Sequence, residues 1–216
     1  MASLMVGFDL DMTLADTRRG IAAVYDALAA ETGVYIDSAL ICTRLGPPLD
    51  MELANWYPAE RVPAMVRRFR ELYPEIAIPV TTPMAGAYEA VHAVRQRGGR
   101  AMVVTAKNQR DAERTVRLLG LPVTVVIGAL WAAGKAAALK EHGAAVYVGD
   151  HTGDVDAAKA AGAVSVGVAS GPYDAAALTA YGADFVLPDL RAFPGWLGSR
   201  AHSNGAAPDG SRSPRT

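Results

Sequence analysis

From residue 84 onward the chain alternates between runs that suit helices and short apolar runs that suit strands. Helices are expected over 84–97, 111–119, 135–141, 155–161 and 175–181, several of them stopped by glycine. Strands are expected over 101–105, 123–127, 145–148, 164–168 and 184–187. This alternation predicts a parallel sheet with right-handed crossovers and helices on both faces, an α/β fold. One more apolar run, 4–8, must join that sheet, because alone it could not be buried.

Residues 17–80 read differently. Ile21, Val24, Tyr25 and Leu28 recur at helical spacing. A second helix is expected from Ser38, stopped by Gly46-Pro47-Pro48. A third covers 49–56 and a fourth 60–73, after which Pro74, Pro79 and Pro83 break the chain. Arg67, Arg68 and Arg70 read as a solvated face of the fourth helix. No buried strand is evident here, so the block reads as an insertion. The expected organisation is a core of 1–16 and 81–197, a helical domain of 17–80, and a tail of 198–216. That tail is rich in Ser, Gly, Pro and Ala, and it has too little apolar surface to offset ordering entropy, so it is expected to be disordered.

Composition narrows the function. The 216 residues are 51% hydrophobic and 20% charged, ordinary for a globular protein. The net charge of -1 lacks the basic excess of a nucleic-acid surface. No apolar run reaches the ~18–20 residues that span a bilayer. The N-terminus has no basic region ahead of its apolar run, so no signal peptide is expected. A single cysteine, Cys42, excludes an internal disulfide and suits a reducing compartment. A cytoplasmic enzyme without nucleic-acid or membrane partners is the expected class, as a monomer or a homodimer.

Ligands in an open parallel sheet sit beyond the carboxyl ends of its strands. The first strand ends at Asp9 and Asp11, the second at Thr105-Ala106-Lys107-Asn108, and the fourth at Gly149-Asp150 with Asp154 close behind. The loop after the third leads to Lys135 at a helix start. Two close carboxylates repel, and a bound cation is the simplest reason for both to stay ionised. Asp9, Asp11, Asp150 and Asp154 offer hard oxygens without His or Cys partners, which suits Mg2+ and not zinc. Lys135, Thr105 and the helix N-terminus suit phosphate oxygens. Metal, lysine and donors around one anion are what phosphoryl transfer requires. The plainer readings are a turn for the Asp pair, a helix N-cap for Asp154, and a solvent-facing loop residue for His151. Trp56 and Trp131 read as packing residues, with Trp131 able to border the cleft.

The constellation resembles the haloacid dehalogenase-like (HAD-like) hydrolase superfamily. Asp9-Leu10-Asp11-Met12-Thr13 matches its first motif, Thr105 the second, Lys135 the third, and Gly149-Asp150 with Asp154 the fourth. The helical insertion, together with Asp16-Thr17, resembles the phosphoglycolate phosphatase-like branch with a small helical cap. The resemblance implies a Rossmann-like core, Asp9 as nucleophile, Asp11 as general acid and base, and Thr105 and Lys135 on the phosphoryl oxygens. Asp9, the Asp11 carbonyl and Asp150 would hold Mg2+, with Asp154 in support. Arg44, Ala106, Lys107 and Asn108 would face the substrate. The implied activity is hydrolysis of a small phosphorylated metabolite, a phosphoglycolate-like acid or a sugar phosphate. A phosphoglucomutase-like transfer is the alternative, ahead of a dehalogenase or a non-catalytic binding protein. Two positions depart from the pattern: Met12 stands where Gly is usual, and Ala106 where a side-chain donor is usual.

Overall fold

The computed structural model describes residues 3–203, with side chains to residue 200. In chain order the elements are β1 (Met5–Phe8), β2 (Ala15–Asp16), α1 (Arg18–Thr32), α2 (Ser38–Cys42), α3 (Leu49–Leu53), α4 (Val62–Ile76), β3 (Thr82–Pro83), α5 (Ala87–Gln96), β4 (Arg100–Val104), α6 (Gln109–Leu119), β5 (Val125–Ile127), α7 (Ala133–Glu141), β6 (Val146–Gly149), α8 (Thr152–Ala161), β7 (Val164–Val168), α9 (Ala175–Tyr181), β8 (Phe185–Leu187) and α10 (Phe193–Ser203). Six strands form one parallel sheet in the order β5-β4-β1-β6-β7-β8. The chain runs outward from β1 to β5, then returns beside β1 to build the other half. This reversal opens a crevice between the ends of β1 and β6, the usual place for a ligand in such sheets.

Alternation along the strands supplies two cores. Ala101 and Val103 of β4 face one side, with Phe8, Val148 and the α5, α6 and α10 side chains. Met102 and Val104 face the other, with Tyr147 and the α7 and α8 side chains. Both faces are covered, which explains why the strands read as continuous apolar runs. A third cluster, including Val24, Tyr25, Leu28, Phe69 and Tyr73, lies within the helical block. The two chain crossings into and out of that block pair as a short antiparallel ribbon, Ala15 opposite Pro83 and Asp16 opposite Thr82.

Several expectations need correction. Helix α4 does not stop at Pro74 but runs on to Ile76. Pro74 lacks an N–H for the carbonyl of Arg70, one turn back. That carbonyl instead accepts from Arg110 Nη2 at 2.8 Å, so the lost helix bond is replaced from α6. Asp37, not Ser38, caps α2, accepting from the Leu40 N–H. Helix α3 ends at Leu53, short of Trp56. The expected tail from 198 is helical as far as Ser203, as the end of α10; residues 204–216 lie outside the described residues. Among the described residues, no helix is long and apolar enough to cross a membrane.

Candidate active site

Asp9 leaves the tip of β1, and its N–H is held by the Val148 carbonyl of β6 at 2.8 Å. Asp150 leaves the tip of β6, on the other side of the crevice. Asp154 lies in the first turn of α8. All three are buried, and one carboxylate oxygen from each lies within 4.8 Å of the others. Lys135, in the first turn of α7, is buried among them. Its Nζ is 3.2 Å from Asp9 Oδ1 and 2.7 Å from Asp154 Oδ1. Thr13 donates to Asp150 Oδ1 at 2.6 Å. Tyr147 Oη lies 3.2 Å from Asp154 Oδ1 and donates to the Val104 carbonyl at 2.7 Å.

One lysine does not balance three buried carboxylates. Burial pushes Asp9 up to about 7, against the pull of Lys135 and with added repulsion from Asp154 and Asp11. Burial likewise holds Asp150 well above the carboxylate range, with Asp9 and Asp154 adding to it. Burial also depresses Lys135, but the carboxylates of Asp154 and Asp9 outweigh it and hold the ammonium charged.

A divalent cation fits this surplus. Asp9 Oδ1 is buried without a hydrogen-bond partner. A Cβ on Gly171 would overlap the Asp150 carboxylate, and one on Gly149 the Asp154 carboxylate, so glycine keeps room around both acids. The donors are carboxylate oxygens, a set suited to Mg2+. Asp154 is already engaged by Lys135 and by the His151 N–H, which donates to its Oδ2 at 3.1 Å. Both of its carboxylate oxygens therefore already have partners within the protein. The Asp11 carboxylate is not part of the acidic cluster.

Asp11 has a different partner. Lys107 Nζ lies 3.0 Å from Asp11 Oδ1, with the lysine side chain only 6% exposed. The same ammonium donates to Tyr73 Oη on α4 at 2.7 Å. Thr105 is buried just past β4, and its hydroxyl accepts from the Lys107 N–H at 3.3 Å. Ala106 and Asn108 both line the cavity beside Lys107, but the Asn108 side chain is also engaged at a helix start. Its amide caps α6, accepting from the Asp111 N–H and donating to Asp111 Oδ2. Arg44 pairs with Glu52, Nη2 to Oε1 at 2.7 Å, and also lines the cavity beside these groups. A cavity of about 280 Å3 joins these groups, lined by Asp9, Asp11, Thr105, Lys107, Arg44 and, from the helical block, Tyr25 and Phe69.

The α8 loop differs from the plainer readings in two respects. His151, not Asp154, is the N-cap of α8; its Nδ1 accepts from the Gly153 N–H while Asp154 closes the reciprocal bond. His151 is also only partly exposed, set edge-on between Trp131 and Tyr173 at centroid distances of 5.4 and 4.9 Å. Trp131 does border the cavity. Thr13 belongs to the first motif but has no role assigned from the sequence, and Tyr147 and Tyr73 escaped the sequence reading. Tyr147 left a usable signal, because a hydroxyl between valines in a buried strand needs a polar partner. Tyr73 left none, because its partner comes from another part of the chain.

Residues 6–168, well over half of the chain, match the family model described as haloacid dehalogenase-like hydrolase. Among solved structures, a haloacid dehalogenase-like family hydrolase from Streptococcus pneumoniae is 21% identical at a TM-score of 0.79, over 92% of this chain and 98% of that one. A predicted phosphatase from Clostridium acetobutylicum is 17% identical at 0.80, over 92% and 100%. A candidate β-phosphoglucomutase from Thermotoga maritima is 20% identical at 0.69, over 91% and 99%. No curated protein matches the chain. At these identities the structures speak to the fold, and the family model carries the assignment: the chain belongs to the haloacid dehalogenase-like hydrolase family.

Proposed function

We propose that the protein is a Mg2+-dependent phosphatase acting on a small phosphorylated metabolite, with residues 17–80 as a cap over a core of 1–16 and 81–197. The observation that carries this reading is Asp9: a buried strand-end carboxylate whose Oδ1 has the Lys135 ammonium at 3.2 Å, clustered with the carboxylates of Asp150 and Asp154. Asp9 and Asp150 would hold Mg2+, which when bound supplies positive charge between the nucleophile and the substrate anion. Lys135 keeps Asp9 ionised, and Thr105 and Lys135 take the phosphoryl oxygens. An Asp9 oxygen then bonds to phosphorus as the ester P–O bond breaks, and the departing oxygen takes a proton from Asp11. Water next attacks the aspartyl-phosphate. Its proton passes to Asp11, and the P–O bond to Asp9 breaks, restoring the carboxylate. The cavity suits a small substrate, a phosphoglycolate-like acid or a sugar phosphate, with the Arg44–Glu52 pair at its wall.

The direct test is release of nitrophenol from p-nitrophenyl phosphate. Activity should require Mg2+, vanish in EDTA, and fall by about a thousandfold or more in Asp9→Asn, as expected when a nucleophile is removed. Undiminished turnover in that variant rules out the assignment of Asp9.

A further inference from the structure

The far end of α4 is where the helical block touches the loop after β4, and it does so through two consecutive features of its sequence. Pro74 offers no N–H to Arg70, and the freed carbonyl accepts from Arg110 Nη2 at 2.8 Å. Tyr73, one residue earlier, is buried, and its hydroxyl accepts from Lys107 Nζ at 2.7 Å. Lys107 Nζ is in turn 3.0 Å from Asp11 Oδ1 and 4.3 Å from the centre of the Tyr73 ring. A lysine is a point charge on a flexible stem, so its position is set by what its ammonium touches. Here it touches Asp11 of the core and Tyr73 of the block. The arrangement around Asp11 is therefore complete only when α4 is seated.

We propose that Tyr73 is a positioning residue: by holding Lys107 it sets the direction of the Asp11 carboxylate, and Arg110 on the carbonyl freed by Pro74 clamps the helix end that carries it. This rests on the role of Asp11 proposed above. The step most exposed to it is hydrolysis of the aspartyl-phosphate. There the oxygen of water bonds to phosphorus, the electron pair of the breaking bond returns to Asp9, and the water proton goes to Asp11. A carboxylate turned away from the water cannot take that proton.

p-Nitrophenyl phosphate separates the half-reactions, because nitrophenolate leaves without needing a proton from Asp11. Tyr73→Phe keeps the ring, with its 5.8 Å contact to Phe69, and removes only the oxygen. Its kcat should fall about tenfold with KM falling alongside, kcat/KM should stay within about twofold, and phosphoenzyme should accumulate on rapid quench. Arg110→Gln alters a side chain that is 54% exposed, is made alongside a thermal-melt check that the variant folds, and should move kcat the same way by about threefold. A parallel fall in kcat and kcat/KM, or no change in either variant, overturns the proposal and leaves Tyr73 as packing. A wild-type protein that forms no phosphoenzyme on Asp9 overturns the underlying reading instead, and is seen before any variant is made.

Discussion

Met12 is one of the two residues that depart from the family's pattern, and its backbone gives the reason glycine is usual there. Its φ is +63°, in the left-handed region. The conformation is held by its N–H on the Ala15 carbonyl at 2.8 Å and its own carbonyl accepting from Ser170 Oγ at 2.7 Å. A non-glycine residue there costs about 1–2 kcal/mol. The side chain offsets that cost, being only 3% exposed, since burying a methionine contributes about 1.5–3 kcal/mol. Glycine would also carry its larger unfolded-state entropy. Met12→Gly should therefore lower the unfolding free energy by about 1–2 kcal/mol in a denaturant titration. A gain in stability would mean that backbone strain dominates. The departure itself was legible in the sequence. Its cause was not, because a turn's φ and the pocket that receives a side chain both depend on distant residues such as Ser170.

At the scale of elements, the helical block depends on how closely α1 approaches the end of α4. Gly20 of α1 makes that approach possible: a Cβ there would lie 2.7 Å from both the Cα and the carbonyl oxygen of Ala77. Intrinsic helix propensity favours alanine over glycine by about 1 kcal/mol. Overpacking against backbone that cannot move aside costs about 1–3 kcal/mol. Gly20→Ala should thus destabilise the protein, lowering its thermal midpoint against the propensity trend. A raised midpoint would show that α1 can shift away freely. Helix α4 teaches a related point. Pro74 reads as a stop in isolation, yet the helix passes through it because Arg110 satisfies the orphaned carbonyl. Local propensity lost there to a contact supplied by a different element.

At the scale of the whole molecule, the acidic cluster links stability to pH and to metal. The Asp9 carboxyl has an ordinary value of 3.8 and stands at about 7 when folded. A group raised in the folded state contributes stability that is present below its unfolded value and is lost as pH rises through the folded one. The metal-free protein should therefore become less stable as pH rises from about 4 to 7, by a few kcal/mol if Asp9 dominates. Mg2+ should oppose that trend, raising the thermal midpoint most at the alkaline end, because it favours ionised carboxylates. Asp150→Asn should remove much of the Mg2+ effect. A midpoint that rises with pH in EDTA, or that ignores Mg2+ at pH 8, would count against the cluster as a cation site.

What the chain could disclose unaided was whatever is local or periodic. The alternation of apolar runs specified a parallel sheet, because strands buried on both faces have few other arrangements. Each acid, hydroxyl and lysine at a strand end could be named, because strand ends in such a sheet converge on one edge. The tertiary structure decided what those groups meet. It paired Lys135 with Asp9 and Asp154, sent Lys107 to Asp11 and Tyr73, and spent Asn108 on a helix cap. Those outcomes turn on distances of a few ångströms between residues far apart in sequence, and such distances are settled by packing.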